Sequence, residues 1–308
     1  MPYRCPCPDN NESVILYKTN NEKETAKFHV GVTNRGGAGV NSLKPTLLKC
    51  KKCNLIFSEY TDVDFENAYS HVADEFYIKQ IEFKTRTFEL FFSKIKQHLN
   101  QNSDVLEIGS YYGVLGNIIK LHVKNYTGLE SSKHAVNYSK KNFNLNAINQ
   151  SLEKFLKDGF QFDVIIMTDV IEHLNNPFEI LDLIEKNLKP DGILIFSTMN
   201  MDSIIPKIMK SKYYWIIPQH TYYFSNSTLK YFLNKSNLNL FKIKTNTRLV
   251  SLEYLLNTLI ILIPKLAFIF KFFLKFNFLK KLVVKINLLD LNIYFAKKLN
   301  SQKEIATI

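Results

Sequence analysis

The chain has 308 residues, 46% of them hydrophobic and 13% aromatic, and a formal net charge of +12. That length holds one full α/β domain with smaller additions, the composition excludes a disordered chain, and no Gly/Ser-rich or Pro-rich linker divides it. The charge is uneven: from Lys242 to Ile308 there are 12 basic residues against Glu253, Asp290 and Glu304, a balance of +9 that leaves +3 for the rest, so the pattern argues against a nucleic-acid binder and for an anionic surface near the tail.

The first segment, residues 1–60, opens on Met1-Pro2-Tyr3-Arg4-Cys5, which lacks the apolar stretch of a secretory signal; a cytoplasmic protein is expected. It holds all four cysteines, in Cys5-Pro6-Cys7 and Cys50-Lys51-Lys52-Cys53. The second pair lies between two apolar runs, Leu47–Leu48 and Leu55–Phe57, which predicts strand, knuckle and strand, as in a zinc-ribbon turn. Cys5, Cys7, Cys50 and Cys53 together suit a structural tetrahedral Zn²⁺ with no open position. Four buried free thiols are the alternative, because the first pair is C-x-C and the insert between the pairs is long.

The second segment, residues 61–245, alternates strand and helix patterns. Phe76 to Leu99 predicts an amphipathic lead-in helix. Strands follow at Asp104–Ile108, Asn125–Leu129, Leu145–Asn149, Phe162–Asp169 and Ile193–Ser197, with helices at 114–120, 132–143 and 177–188 and a turn at Lys189-Pro190-Asp191-Gly192. A helix at 228–235 and strand material at 240–245 close the segment. Apolar strands alternating with helices predict an α/β fold with a doubly wound, mostly parallel sheet. Ile108-Gly109-Ser110-Tyr111-Tyr112-Gly113 ends the first strand in a glycine turn, and Glu130 closes the second; together these form the front half of a nucleoside-binding βαβ unit.

The third segment, residues 246–308, is apolar and basic. Leu255 to Leu274 is 20 residues long with only Lys265 and Lys271 charged. Those central lysines and Pro264 argue against a spanning helix. Lys271, Lys275, Lys281 and Lys285 share one third of a helical wheel opposite Phe, Leu and Val, which predicts an amphipathic helical tail. It would lie at the inner face of an anionic membrane through residues 246–298, or cap the enzyme or a second copy in a homodimer.

Val105–Gly113, Gly128-Leu129-Glu130, Asp169-Val170-Ile171-Glu172-His173-Leu174-Asn175-Asn176-Pro177 and Leu188-Lys189-Pro190-Asp191-Gly192 together resemble class I S-adenosylmethionine-dependent methyltransferases over about Asn102 to Thr245. The last two blocks are more specific than the glycine loop. The flanks resemble bacterial methyltransferases of sugar and surface-polysaccharide pathways. The resemblance implies a Rossmann-like methyltransferase core that binds S-adenosylmethionine. Glu107, Gly109, Ser110 and Gly113 would shape the loop around its amino-acid portion and ribose. Glu130 would hold the ribose hydroxyls, Leu152 and Glu153 would border the adenine, and Asp169 would lie near the methionine end. One departure stands out: the family's middle loop glycine is Tyr111.

Methyl transfer from a sulfonium needs an aligned acceptor and removal of its proton. His220, in an aromatic setting after the fifth strand, is the first expectation for the base; His173, in the shared motif, is the second, and either has a structural alternative. Tyr222 and Tyr223 are candidate acceptor contacts or core aromatics. Tyr213, Tyr214 and Trp215 could stack on a sugar. The expected acceptor is a small molecule or glycan, first a nucleotide- or lipid-linked sugar, with a lipid or quinone-like acceptor as the alternative. A non-catalytic interaction protein on the same fold is the third reading. Nucleic acid is the weakest partner.

Overall fold

The structure, a computed structural model, describes residues 5–7, 12–18, 44–59, 73–217, 219–280 and 282–299. Much of the insert between the cysteine pairs, the stretch 60–72 leading into the core and the end of the expected tail therefore lie outside the described residues.

Strand β1 (Ser13–Tyr17) pairs with β2 (Leu47–Cys50), which turns back as β3 (Ile56–Ser58). The turn is closed by the Cys50 N–H on the Leu55 carbonyl at 2.9 Å and by a left-handed Asn54, φ 60°. The expected lead-in helix is two helices. Helix α1 (Glu75–Lys79) is capped by the Asp74 carboxylate, which accepts from the Tyr77 N–H at 2.8 Å. It breaks at Gln80, φ −106° and ψ 9°, before α2 (Ile81–Ile95).

The core continues as β4 (Asp104–Ile108), α3 (Val114–Ile119), β5 (Asn125–Glu130), α4 (Lys133–Phe143), β6 (Ala147–Asn149), α5 (Leu152–Lys157), β7 (Phe162–Thr168), α6 (Pro177–Asn187) and β8 (Leu188–Met199). Pro177 sits where a helix start has no N–H to lose, and Asn176 caps it through the Glu179 N–H. The expected turn at Lys189–Gly192 lies inside the span of β8. Leu188 pairs with Phe162 and pairing resumes at Ile193 with Val164, so the turn bulges out between them. Lys189 secures it through the carboxylates of Asp104 (2.6 Å) and Asp163 (2.8 Å).

Then come α7 (Ile204–Met209), β9 (Tyr222–Tyr223), α8 (Asn226–Lys235), β10 (Leu238–Thr245), β11 (Arg248–Ser251), α9 (Leu252–Leu262), α10 (Ala267–Phe273), α11 (Asn277–Lys280), β12 (Val283–Ile286) and β13 (Leu291–Lys298). The main sheet has the order β10-β13-β8-β7-β4-β5-β6. Strands β4 to β8 are mutually parallel; β13 pairs antiparallel with both β8 and β10 and is the one strand of this sheet that runs against the rest. Both faces are covered, which is why the inner stretches Val105–Leu106 and Val164–Met167 are apolar. Leu106, Ile108, Ile165 and Met167 bury toward one face, and Val105, Val164 and Ile166 toward the other.

Two expectations change. The third segment is not a helical appendage. Its helices occupy only 252–280, and its final strand lies between β8 and β10, with Ile293, Tyr294, Phe295 and Ala296 wholly buried. The alternation that marks this strand is short, and lysine-rich flanks hide it. Nor does the cysteine segment stand apart: β3 pairs with β9 of the core chain, and Leu55, Phe57 and the cysteines share a cluster with Tyr222 and Phe224. Among the described residues no helix is long and apolar enough to cross a membrane.

Because Phe295 is wholly buried in the core sheet, Phe295→Ala is expected to cost about 3–5 kcal/mol in urea unfolding. The exposed Phe278→Ala should stay within about 0.5 kcal/mol.

Candidate active site

A cleft of about 890 Å³ opens over the carboxyl ends of the parallel strands, the edge at which open α/β sheets bind ligands. Its floor is Ile108–Tyr111 after β4, Glu130 ending β5, Leu152 and Glu153 after β6, Thr168 and Asp169 ending β7, and Ser197 of β8. Its walls come from α1, α2, α9, β11 and the segment before β13.

The glycine turn is built for close backbone approach. Gly109 has φ 71°, and a Cβ there would meet Val170 Cγ2 at 2.5 Å. Gly113, φ 79°, starts α3, where a Cβ would strike Leu145 and Ser139; its role is packing, and it is not among the lining residues. Between them Tyr111 adopts φ 46°, the left-handed region its family's glycine would occupy. The side chain is held against Asp74 and Tyr77, which line the cleft with it. Its hydroxyl donates to Asp74 Oδ2 at 2.9 Å, and its ring meets Tyr77 edge-on at 4.7 Å. The Asp74 N–H donates to the Tyr112 hydroxyl at 2.7 Å. Tyr111 thus ties the loop to α1 at the edge of the cleft.

Two buried carboxylates face the turn. Glu130 accepts from the Tyr111 N–H (2.9 Å) and the Ser132 N–H (2.8 Å), which fixes its rotamer; burial pushes its carboxyl up while those N–H bonds pull it down. Glu107 accepts from the Tyr126 hydroxyl at 2.5 Å, and burial holds its pKa at about 8. The donor set fits S-adenosylmethionine: two buried carboxyl groups for its hydroxyl and amino groups, with a glycine cradle that a Cβ would fill.

At the other end Asp169, φ 54°, holds Arg248 at 2.6 Å and accepts from the Ser197 hydroxyl at 3.0 Å. The Arg248 guanidinium lies 4.6 Å over the Trp215 ring. Lys84 also lines the cleft, 5.3 Å over the Tyr77 ring; burial and then Arg248 lower its pKa. Asp290, buried beside the cleft, accepts from the hydroxyls of Tyr213 (2.8 Å) and Tyr214.

The two expected bases are placed differently. His173 lines the cleft, and its Nδ1 donates to the Gln219 carbonyl at 2.7 Å. Burial lowers its pKa, so the ring is neutral with Nε2 carrying the lone pair. His220 is not a lining residue. It is buried behind His173 and Trp215, with ring centroids 4.8 and 5.9 Å away and its Nδ1 on the Trp215 carbonyl. Tyr222 and Tyr223 are core residues whose hydroxyls bond the carbonyls of Asn175 and Ile217. Tyr214 and Trp215 reach the cleft; Tyr213 is buried below.

Arg248, Lys84, Asp74 and Asp290 are cleft residues that sequence patterning passed over. Arg248 left one trace: it is the lone arginine among twelve basic residues of the tail, and arginine suits a planar ion pair stacked on an aromatic ring.

Away from the cleft, the thiol sulfurs of Cys5, Cys50 and Cys53 lie within 4.8 Å of one another. Cys5 and Cys53 are 3.5 Å apart, and backbone N–H groups of Cys7 and Cys53 point at Cys5 and Cys50 Sγ at 3.4 and 3.5 Å. Cys7 is buried alongside, its Sγ 3.4 Å from the Tyr231 hydroxyl and outside that trio.

Residues 77–243 match the family described as a methyltransferase domain. The ubiquinone biosynthesis O-methyltransferase of Rickettsia bellii is 31% identical over 114 residues, which is 35% of this chain and 47% of that protein. The mitochondrial protein of that name from Dictyostelium discoideum is 26% identical over 174 residues, 50% of this chain and 54% of its own. The chain thus spans about half the length of the curated relatives it matches. A crystal structure of an S-adenosylmethionine-dependent methyltransferase from Archaeoglobus fulgidus superposes with a TM-score of 0.49 at 17% identity, covering 73% of this chain and 100% of that one.

Glu107 gives the fold a pH signature. Its carboxyl sits at about 8 in the folded chain against an ordinary 4.5, so the stability due to its neutral form is full below about pH 4.5, declines as pH rises and is gone above about 8. Above about pH 7.5 His173 and His220, both lowered by burial, are neutral folded or unfolded and drop out. Burial and the nearby Asp169 raise the Glu172 carboxyl to about 8 as well, so wild-type thermal midpoints should fall from about pH 7.5 to about 8.5 and Glu107→Gln should lessen that fall without abolishing it.

Proposed function

This chain belongs to the class I S-adenosylmethionine-dependent methyltransferases, and on that premise we propose that it is an O-methyltransferase whose acceptor is quinone-like: a hydroxylated ring carrying an apolar chain. The observation that carries the reading is the cleft. Cofactor-type carboxylates lie at one end. At the other an Arg248–Asp169 pair and Lys84 stand beside a wall of Phe83, Phe88, Leu249, Leu255 and Leu259. The relatives named for ubiquinone biosynthesis support a quinone-like acceptor over a sugar.

Glu130 would hold the ribose hydroxyls, Glu107 and the Gly109 turn the amino-acid end, and Leu152 and Glu153 the adenine. The cofactor, when bound, supplies an activated methyl group on a cationic sulfur. The chain's own residues then have two tasks. Lys84 and Arg248 favour the ionised acceptor oxygen by charge. His173, neutral and on the cleft wall, takes the acceptor proton, with Gln219 fixing its tautomer. Asp169 is spent on Arg248 and Ser197 and acts as their anchor. His220 buttresses His173 from behind.

The cysteine knuckle holds a structural Zn²⁺. Three converging thiols, a fourth cysteine buried beside them and N–H donors aimed at two of the sulfurs support this, since zinc keeps such thiols ionised and crosslinks a segment too small for its own core.

Calorimetric titration with S-adenosylmethionine tests the cofactor site. Glu130→Ala, which removes two charge-assisted hydrogen bonds, should weaken binding about 10- to 100-fold. Undiminished binding in that variant would move the ribose elsewhere. For the base, His173→Gln should lower kcat about 10²- to 10⁴-fold on a prenylated dihydroxyphenol, against little change for conservative changes at His220. Because burial lowers the pKa of His173, wild-type kcat should rise with pH below about 6.5 and then level. Elemental analysis should find one zinc per chain, absent from Cys50→Ser.

A further inference from the structure

We propose that α9 to β12, residues 252–286, together with the loop to 289 form a docking face for an anionic lipid bilayer, and that the acceptor enters the cleft from that bilayer. Twelve of the twenty exposed large apolar side chains among the described residues fall between Ile263 and Leu289. Phe268 is 71% exposed, Phe278 67%, and Phe272 and Leu289 54% each. A concentration of this kind marks an interaction surface, whereas scattered exposed leucines do not. No Asp or Glu occurs from Tyr254 to Leu289, while Lys265, Lys271, Lys275, Lys280, Lys281 and Lys285 do. Of these, Lys265, Lys271, Lys275 and Lys285 are exposed.

Charge decides the occupant. A second copy laid face to face would bring the exposed Lys265, Lys271, Lys275 and Lys285 against their own kind. An acidic bilayer surface meets the lysines with opposite charge and receives the aromatic side chains at its headgroup boundary. The helices are 11, 7 and 4 residues long, too short to span, for which about 20 are needed, and are broken at Ile263–Pro264 and at Leu274–Phe276.

The face is continuous with the cleft. Leu255 and Leu259 of α9, Ile286 of β12 and Leu288 line the cleft wall, and Leu288 is also 44% exposed on the outer face. An apolar chain could pass from bilayer to cleft along this one hairpin without crossing water. The route of the acceptor rests on the methyltransferase reading; the docking rests on the surface alone.

Flotation of the full chain with vesicles tests the docking, using phosphatidylcholine with and without phosphatidylglycerol. Wild type should float with the anionic vesicles and be released by high salt. Phe268→Gln/Phe278→Gln and Lys271→Gln/Lys275→Gln should each lose about tenfold in vesicle affinity while keeping wild-type melting and S-adenosylmethionine binding. Methylation of a vesicle-embedded quinol should drop in the phenylalanine pair, with a soluble short-chain quinol unaffected. Wild type that stays in solution, variants that float like wild type, or a dimer that the phenylalanine pair splits without any vesicle binding would each overturn the proposal. Cofactor binding without flotation sinks the docking alone; flotation without cofactor binding sinks the methyltransferase reading alone.

Discussion

The return of the last strand to the middle of the sheet is the constraint on which the rest depends. Strand β13 pairs with β8 from Leu291 through Lys297 and with β10 on its other side. Both ends of the excursion from 246 to 290 are therefore pinned at the same end of the sheet, where Thr245 faces Asn292. The excursion has to fold over the carboxyl ends of the strands. Pairing of β11 with β12, Arg248 opposite Ile286, closes its neck. That geometry delivers Arg248 to Asp169 and Asp290 to Tyr213 and Tyr214, and leaves the apolar hairpin projecting beyond.

The cleft that results has divided electrostatics. Its cofactor end holds two carboxylates that burial keeps at raised pKa values, with Glu107 the more isolated and Glu130 the better hydrogen-bonded. Its acceptor end holds Arg248 and Lys84. On the proposed reading Arg248 and Lys84 favour an acceptor that must lose a proton. Tyr111 belongs to this design. A tyrosine in a left-handed conformation is costly, and its hydroxyl bond to Asp74 and its packing on Tyr77 offset that cost by pinning α1 over the loop.

The cysteine knuckle reaches the site through β3. Ser58 N–H donates to the Thr221 carbonyl at 2.8 Å, and Thr221 N–H donates to the Glu172 carbonyl at 2.9 Å. The loop carrying Trp215, Gln219 and His220 is thus strung between the N-terminal sheet and the turn bearing His173. A metal crosslink in the knuckle would stiffen the wall that holds His173.

Much of this was legible in the chain itself, and for local reasons. The inner stretches of β4, β7 and β8 are apolar runs because both faces are covered, and the glycine turn and the terminal glutamate of β5 mark where backbone must approach a ligand. The strand–knuckle–strand at Cys50–Cys53 is equally local. The parts that escaped depend on contacts between distant segments. Nothing in Leu291–Lys298 says which neighbours it will have, since a short apolar run between lysines suits a tail as well as a central strand. Only pairing with β8, almost a hundred residues earlier, makes it core. His220 and His173 carry the same chemistry in sequence, and the aromatic ring of Trp215 alone decides which one reaches the cleft. The sequence by itself determined the sheet, the turn and the cofactor-type carboxylates, because periodicity and turn chemistry act over a few residues. The tertiary structure alone decided the acceptor wall, because Lys84, Arg248 and Leu259 become neighbours only after the last strand has closed the sheet.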